Sequence, residues 1–202
     1  MSEAWPYEPG REAILRAAAS LATADGLDGL SAGTLAAALG RSELGRSELG
    51  RGVPSGSRQE LQLATVTEAA RIFDEEVVQP ALAAPAGLGQ LAAVCEAFIA
   101  HLERHAVPGG CFMASAALAM DASPGPVRDL IASLQARFGD LIHGFAVTAL
   151  ARRELAPGED PGRLAFELNG IMLATDTNFA AHDDPAVLEL ARQIVRQRLG
   201  VS

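Results

Sequence analysis

The spacing of apolar residues divides the first 60 positions into short helical segments. From Arg11 an apolar stripe recurs every three or four residues and stops at Asp25-Gly26, which predicts an amphipathic helix. A shorter helix is predicted from Ala32 to Leu39. Ser31 is a natural N-cap for it, and Gly40 can adopt the left-handed conformation that ends a helix.

Longer helical segments follow, separated by residues that break helices. Ser57 is followed three residues later by Glu60, the pattern of a capping box, which predicts a long helix that runs to Pro80. The segments predicted beyond it are a loop at 81–89, a helix at 90–105, a loop at 108–110 and a short apolar helix at 111–120.

Two long helices are predicted next, Pro126 to about Leu155 and Pro161 to about His182, each opened by a proline in its first turn. Apolar residues recur at near-heptad spacing in the first. The second is apolar on two faces, one marked by Leu164 and the other by Phe166. We expect one face to cover its own core and the other a second subunit, which predicts a homodimer. A last helix at 185–199 completes an all-α fold.

Between the second helix and Ser57 lies a tandem repeat. Arg-Ser-Glu-Leu-Gly at 41–45 recurs at 46–50, and the breaker-rich segment 51–56 follows. A pentapeptide repeated twice is too short to indicate a solenoid. Its glycines weaken any helix that spans it, because each interior glycine costs about 1 kcal/mol relative to alanine.

Charge narrows the function. All 16 basic residues are arginine, and the net charge is −9. An acidic chain is not a general polyanion binder, so nucleic-acid binding must rest on a local basic patch. Residues 41–58, with four arginines and two acidic residues, are the one locally basic stretch.

Composition agrees with helices rather than a sheet, since 49% of the 202 residues are hydrophobic but only 4% are aromatic. The first ten residues do not resemble a signal peptide, and no apolar run approaches the ~18 residues of a membrane span. Cys95 and Cys111 lie in apolar surroundings and suggest no disulfide framework. We therefore expect a cytoplasmic protein with reduced thiols and no membrane partner.

Three segments occur in an order typical of one regulator family. Residues 11–19 and 29–40 resemble the first two helices of tetracycline-repressor (TetR) family transcriptional regulators, and residues 56–61 resemble the beginning of that family's fourth helix. The helical remainder, including Pro108-Gly109-Gly110-Cys111-Phe112, is similar to the family's ligand-binding and dimerisation domain. The resemblance covers nearly the whole chain and implies an N-terminal helix-turn-helix.

The DNA-reading segment departs from the family pattern. Members usually carry a Tyr or Phe, a His and a Phe before the equivalent of Gly56, and none of these is present here. Deleting one copy of the repeat restores the family's spacing between Gly40 and Gly56. Either the extra copy lengthens the turn, or the recognition helix is longer and its glycine-rich tail frays.

The resemblance implies DNA contacts near this segment. Arginine can pair with guanine in the major groove, whereas serine hydroxyls and Arg58 can hold phosphates. The DNA-binding residues predicted on this basis are Ser31, Arg41, Ser42, Arg46, Ser47, Arg51 and Arg58. In the alternative interpretation these side chains solvate a flexible loop, which predicts weak or no operator binding.

The second domain is expected to hold a mostly apolar ligand pocket, oriented by a few polar groups. The ligand-binding residues predicted are Phe98, Phe112, Met113, Phe138, His143, Phe166, Asn169 and Met172, with Met120, Phe145, Asp176 and Phe179 as further candidates. The alternative for each aromatic or methionine side chain is that it only fills the core.

Other chemistry is weakly indicated. His101 and His105 have the spacing that can place two imidazoles on one metal ion, but a solvated helix face is the preferred interpretation. Cys111, after two glycines, is a candidate redox-sensing thiol if exposed, and an inert core residue if buried. No catalytic arrangement can be assembled, so no enzyme, bound metal or cofactor is expected.

These patterns predict a helix-turn-helix domain at 1–56 and a ligand-binding and dimerisation domain at 57–202. The expected partners are an operator in double-stranded DNA, a small hydrophobic effector and a second copy of the chain. In the predicted mechanism, the effector favours a dimer whose reading heads are wrongly spaced and so relieves repression, with the helix after Ser57 carrying the motion. The alternative is a helical ligand- or protein-binding homodimer whose DNA recognition is impaired by the repeat.

Overall fold

The computed structural model describes residues 8–40, 57–104, 111, 112, 114, 116 and 124–201. All regular elements in these residues are helical, so the predicted all-α class is confirmed. The helices are α1 (Glu8–Asp25), α2 (Ala32–Gly40), α3 (Arg58–Phe73), α4 (Gln79–Ala83), α5 (Leu88–Arg104), α6 (Pro126–Ala151), α7 (Pro161–His182) and α8 (Pro185–Leu199). None of them combines the length and the hydrophobicity that crossing a bilayer requires.

The N-terminal unit is built from α1 and α2, joined by a 3-10 turn at Leu27–Gly29. α1 begins before the predicted Arg11 and ends at Asp25 as predicted. It packs against both α2 and α3. The buried apolar side chains of this unit are Ile14, Leu15, Ala18, Leu30, Leu35 and Leu39.

Serine caps begin α2 and α3, as the sequence predicted. At α2, the amide of Thr34 donates to the Ser31 hydroxyl at 3.1 Å, and the Ser31 amide donates to the Thr34 hydroxyl at 2.9 Å. At α3, the amide of Glu60 donates to the Ser57 hydroxyl at 3.2 Å, and the Ser57 amide donates to the Glu60 carboxylate at 2.8 Å. Each cap satisfies amides that have no partner within the helix.

The helix that begins after Ser57 does not end at Pro80, and this prediction was wrong. α3 continues into a π-helical segment at Asp74–Val78 and then into α4, which ends at Ala83. The connection to α5 is therefore only residues 84–87 rather than the predicted loop at 81–89.

The π-helical segment explains why proline is tolerated there. The amide of Gln79 bonds the carbonyl of Asp74, five residues earlier, instead of the carbonyl four residues earlier. Pro80 has no amide hydrogen, and in a regular α-helix its ring would crowd the carbonyl of Glu76. Widening the turn by one residue gives the ring room, so the helix continues.

α6 ends at Ala151, earlier than the predicted end near Leu155. Arg153 adopts a left-handed conformation with φ 61°, and the amide of Glu154 donates to the carbonyl of Ala149 at 3.0 Å. These features form a Schellman-type helix ending. The sequence prediction missed it because the left-handed position is an arginine, not the usual glycine or asparagine.

This ending brings Glu154 to the beginning of α5. The amide of Leu88 donates to the Glu154 carboxylate at 2.8 Å, and this bond, followed by that from Arg152, lowers the pKa of Glu154 below its ordinary value. Gly87 has φ +90°, and a Cβ added to it would lie 3.1 Å from the Ala149 Cα. Only glycine suits that position.

The remaining helices form the C-terminal bundle. α6 packs against α7 as the predicted pair, and α8 packs against α5 and α7. The largest fully buried side chains of the bundle are Leu91, Ile99, Leu102, Ile131, Ile142, Leu164, Leu168, Met172 and Leu188. The second apolar face predicted for α7 is on the surface of the single chain, where Phe166 is 79% exposed.

Candidate ligand cavity

A cavity of about 920 Å³ lies in the C-terminal bundle. The apolar residues that line it are Ala70, Phe73, Val78, Leu82, Phe98, Cys111, Ala114, Leu134, Phe138, Leu141, Met172 and Leu173. The polar residues that line it are Thr67, Arg71, Asp74, Gln135, Arg137, Asp140 and Asn169. The volume and the mixed lining are typical of a site for a small organic molecule.

Phe73 is the centre of the apolar wall. Its ring makes edge-to-face contacts with Phe98 and Phe138 at centroid distances of 6.2 and 5.1 Å. A third edge-to-face contact, at 5.8 Å, joins it to the ring of His101 on α5. Edge-to-face packing fixes ring orientations, so this wall is a defined aromatic surface.

Arg71 is a positively charged residue of the cavity wall, and two neighbouring glutamates hold its side chain in place. The Arg71 guanidinium donates to Glu68 at 2.7 Å and to Glu75 at 2.6 Å. The hydrogen bonds with Glu68 and then Glu75 raise the pKa of Arg71 above its ordinary value. Because both carboxylates lie within one turn of Arg71, its charge is largely compensated by α3 and the π-helical segment.

A second pair of charges lies on the α6 side of the cavity. Arg137 and Asp140 are both exposed cavity residues, and neither forms an ion pair with any residue that the structure describes. Gln135 and Asn169 add amide groups to the lining. The cavity therefore joins an aromatic wall to a polar one that can donate and accept hydrogen bonds.

The helix that lines the cavity is also bonded to the N-terminal unit. Near the beginning of α3, the Arg58 guanidinium donates to the carbonyl of Asp28 and lies 3.4 Å from its carboxylate. One turn later, the Gln62 amide group donates to the carbonyl of Leu27 at 2.7 Å. One continuous helical run thus contacts the turn before α2 at one end and the cavity at the other.

The C-terminal bundle has a recognisable sequence signature. Residues 87–195 match the family model described as the tetracyclin repressor-like C-terminal domain, and this match covers more than half of the chain. The chain belongs to the TetR family. α1 and α2 occur in the order expected for the first two helices of the helix-turn-helix unit of TetR-family regulators, and α3 begins where the sequence predicts that family's fourth helix. Residues 41–56, between α2 and α3, lie outside the described residues.

Solved structures share this fold. A TetR transcriptional regulator from Chloroflexus aurantiacus J-10-FL has 22% identity and a TM-score of 0.78, over 95% of this chain and 94% of that one. SCO4454, a TetR-family regulator from Streptomyces coelicolor, has 20% identity and a TM-score of 0.71, over 96% of each chain. AibR, solved with isovaleryl coenzyme A and operator DNA, has 20% identity and a TM-score of 0.69, over 93% of this chain and 97% of that one. No curated protein matches the sequence.

Of the predicted DNA-binding residues of this TetR-family chain, Ser31 and Arg58 lie in the described structure. The Ser31 side chain caps α2, and the Arg58 side chain contacts Asp28. The Thr34 side chain, exposed at the beginning of α2, takes part in the same cap through its hydroxyl, which accepts from the Ser31 amide. The other predicted residues, Arg41, Ser42, Arg46, Ser47 and Arg51, lie outside the described residues.

The structure distributes the predicted ligand-binding residues among three environments. Phe98, Phe138, Asn169 and Met172 line the cavity. The others in the described structure do not line it: Phe112, Phe145, Asp176 and Phe179 are buried, whereas His143 and Phe166 are exposed. Met113 and Met120 lie outside the described residues.

The charged part of the cavity wall was missed. Arg71, Asp74 and Val78 lie in one row along the helix after Ser57, and their spacing of three and four residues places them on one face. The predicted pocket residues are aromatic and methionine side chains together with the polar groups His143, Asn169 and Asp176, and none of them lies on this helix. The sequence does contain a signal for these positions. Arg71 and Asp74 are charged residues that lie next to the buried Phe73 and Val77 on the same helical run.

The histidine and cysteine candidates have structural surroundings. His101 is buried, and its Nδ1 lies 2.9 Å from the carboxylate of Glu76; His105 lies outside the described residues. No group of three or more metal-ligating side chains occurs among the residues described. Cys95 and Cys111 are both buried and neither forms a disulfide, and burial raises the pKa of the Cys95 thiol to about 12.

Asp176 is a buried acid behind the cavity wall. It is 2% exposed, and its carboxylate accepts a hydrogen bond from the backbone amide of Cys111 at 2.6 Å. Burial raises the pKa of Asp176 to about 6, although the bond from the Cys111 amide opposes this shift. Cys111 itself lines the cavity, so the hydrogen-bond partner of Asp176 belongs to the cavity wall.

Proposed function

We propose that two copies of this chain form a cytoplasmic transcriptional repressor whose binding to operator DNA is relieved by a small, mainly apolar effector. The helix-turn-helix domain is assigned to residues 1–56 and the effector-binding and dimerisation domain to residues 57–202. The observation that carries the proposal is the continuous helical run from Arg58 to Ala83, which contacts the turn at Leu27–Gly29 and also forms one wall of the cavity.

The coupling follows from that shared helix. An effector in the cavity would contact Arg71 or Val78. These residues belong to the same continuous helical run as Arg58, whose guanidinium donates to the carbonyl of Asp28. If the effector binds better to one placement of α3, it shifts the population of dimers toward that placement. Typical coupling between two such sites is about 1 to 3 kcal/mol, or roughly 5- to 150-fold in DNA affinity.

The lining supports an amphipathic effector. The aromatic wall around Phe73 suits an apolar body, whereas Gln135, Arg137 and Asn169 can orient a polar group. AibR, which shares this fold, was solved with isovaleryl coenzyme A, a molecule with a short apolar acyl group and a large polar portion. We propose an effector that shares only the apolar group with that molecule: a small, mainly apolar body that packs on the aromatic wall and one polar group that the amide and arginine side chains orient.

The exposed apolar residues of α7 and α8 support a homodimer. Phe166 and Leu173 on α7 are 79% and 38% exposed, and Leu190 and Ile194 on α8 are 56% and 41% exposed. Their spacings of seven and four residues place each pair on one face of its helix. Adjacent helices that both expose such faces provide a surface that a second copy can cover.

Phe166→Glu is expected to abolish the dimer. A carboxylate placed at the most exposed apolar position of this surface cannot be buried against a second copy without a large desolvation cost. Light scattering coupled to size exclusion should give the wild type about twice the chain mass of 20.9 kDa, and the variant the single-chain mass. The matched control is Val147→Glu on α6, which is 44% exposed and should remain dimeric. A dimeric Phe166→Glu protein would contradict the assigned interface.

DNA binding is tested with the region upstream of the gene. We expect the wild-type chain to retard this DNA in a gel at low salt, and to lose affinity as salt is raised because arginine–phosphate contacts release counterions. Arg58 is a useful comparison, since its bond to Asp28 means that Arg58→Ala tests the contact between α3 and the turn as well as any phosphate contact. No retardation at low salt would overturn the repressor assignment.

A variant that lacks residues 46–50 separates the two functions considered from the sequence. The duplicated segment, which lies outside the described residues, is the observation that favours a homodimer with impaired DNA recognition. If only the shortened chain binds DNA, the natural chain is the impaired form. If both bind, the repeat is compatible with a working recognition segment.

A further inference from the structure

Asp176 connects two parts of the bundle that are far apart in sequence. It lies on α7, and its Oδ1 accepts the amide hydrogen of Cys111, 65 residues earlier, at 2.6 Å. Both residues are buried, at 2% and 4% exposure. The bond therefore joins two buried residues of the core.

The bond lies directly behind the cavity. Cys111 and Ala114 line the cavity, and so do Met172 and Leu173, which lie one turn before Asp176 on α7. The Asp176 carboxylate thus connects α7 to Cys111, and both contribute residues to the cavity lining. A shift of either one at this point changes the shape of the space available to a ligand.

Stability alone does not account for an acid at this position. Among the residues described, the Cys111 amide is the one group that hydrogen-bonds the Asp176 carboxylate. A carboxylate buried with a single hydrogen-bond partner loses more in desolvation than one hydrogen bond returns. A neutral acceptor of similar size would keep the bond to the Cys111 amide without burying a charge. The charge at Asp176 therefore points to a role at the cavity rather than to stability.

The Cys111 amide is a suitable partner for a negative charge. Phe112, Ala114 and Ala116 are helical, so this amide lies at the beginning of a helical segment, where amides have no partner within the helix. A carboxylate at such an end forms a charge-assisted hydrogen bond, which is roughly twice as strong as a neutral one. Because the donor is a backbone amide, the bond fixes the main chain at Cys111 and does not depend on the Cys111 side chain.

We propose that Asp176 is a positioning residue of the cavity: its carboxylate holds the backbone of Cys111 against α7 and thereby fixes the part of the wall that Cys111 and Ala114 form. This inference rests on the proposed function, because it assigns the cavity to the effector. Asp176 does not touch the effector, and it sets effector affinity through the position of Cys111 and Ala114.

Three full-length variants test the assignment. Asp176→Leu removes the acceptor while keeping the same branched shape in a larger side chain, and Asp176→Asn retains a neutral acceptor at nearly the same volume. Thr175→Val is the matched control, because Thr175 is also buried on α7 but its hydroxyl bonds the carbonyl of Ile171 within the same helix. Circular dichroism first establishes that each variant is folded.

Hydrogen exchange at the Cys111 amide directly measures how stable its hydrogen bond to Asp176 is. We expect exchange at this amide to be about tenfold or more faster in Asp176→Leu than in the wild type, intermediate in Asp176→Asn, and unchanged in Thr175→Val. The affinity for 1-anilinonaphthalene-8-sulfonate, measured by fluorescence, should fall in the same order, by about tenfold in Asp176→Leu and by less than threefold in Thr175→Val.

The result that overturns the proposal is unchanged Cys111 exchange and unchanged probe affinity in Asp176→Leu. Equal losses in Thr175→Val would also overturn it, since they would show a general loosening of α7. If Asp176→Leu does not fold, Asp176→Asn decides in the same way, with faster Cys111 exchange in support and wild-type exchange against. A wild-type chain that binds no probe would contradict the effector cavity, whereas exchange at Cys111 would still decide the role of Asp176.

Discussion

Replacing Phe73 with alanine is expected to lower the free energy of unfolding by about 3 kcal/mol. Phe73 is 9% exposed and its ring packs edge-to-face on Phe98, Phe138 and His101. Truncation removes its buried area together with three aromatic contacts. The expected loss lies at the lower end of the range for phenylalanine, because one side of the ring already faces the cavity. Urea unfolding followed by circular dichroism measures it.

Two further variants serve as comparisons for the stability loss in Phe73→Ala. Phe73→Leu keeps most of the volume and should cost about 1 kcal/mol. Val147→Ala, at a position that is 44% exposed, should change stability by less than about 0.5 kcal/mol. A loss below 1 kcal/mol in Phe73→Ala would show that the aromatic cluster is not packed, and the description of the cavity wall would then be wrong.

Under the proposed function, the position of Phe73 links the stability of the chain to ligand binding. Its ring belongs to the core cluster and also lines the cavity. The next residue, Asp74, begins the π-helical segment. A ligand that packs on Phe73 therefore acts at the point where α3 changes its hydrogen-bond register, and any adjustment there changes the direction of the helix that reaches Leu27 and Asp28.

The side-chain bond between Gln79 and Asp74 fits the π register specifically. Gln79 donates to the Asp74 carboxylate at 2.9 Å. In a regular α-helix, residues five apart are rotated by about 140° and lie on different faces. The wide turn brings them together, so this bond and the absence of an amide hydrogen at Pro80 favour the same local structure.

The helix beginnings were predictable because their signals are local. Ser31, Ser57 and the prolines at 126, 161 and 185 each act within one turn of their own position, and the helices start where these residues indicate. The all-α class and the pairing of α6 with α7 follow from the period of the apolar residues.

The helix ends were less predictable because they depend on contacts made across the fold. The chain continues through Pro80 only because the turn at Asp74–Val78 widens. After the end of α6, Arg153 adopts a left-handed conformation. This conformation lets the Glu154 carboxylate accept a hydrogen bond from the amide of Leu88. Neither feature has a composition signal, since arginine is an unusual residue for a left-handed cap.

The cavity was predicted as a feature, but its lining was only partly predicted. Aromatic and methionine side chains at helical spacing cannot be divided into core and cavity residues until the helices are packed. Phe98 and Phe138 line the space, whereas Phe145 and Phe179, with similar neighbours in sequence, do not. The pairing of Asp176 with Cys111 joins segments 65 residues apart, and a single sequence contains no signal for it.

Asp176→Asn is expected to stabilise the chain in a pH-dependent way. Burial raises the pKa of Asp176 from 3.8 to about 6, so the folded chain holds this proton more tightly than the unfolded chain does. The stabilisation that protonation provides is full below the unfolded pKa and is lost as the pH rises through about 6. At neutral pH the wild type therefore carries a buried charge that the variant lacks.

The difference in stability between Asp176→Asn and the wild type should be more favourable to the variant at pH 7.5 than at pH 5.0, by about 1.4 kcal/mol. The constant cost or gain of the amide group cancels in this comparison, because it is the same at both pH values. Thr175→Val, which alters a buried side chain on the same helix without altering a titrating group, should show the same difference from the wild type at both pH values. Urea unfolding at micromolar concentration measures all three proteins. A pH-independent difference for Asp176→Asn would mean that Asp176 titrates as it does in the unfolded chain, and that the acid behind the cavity wall is solvated rather than buried.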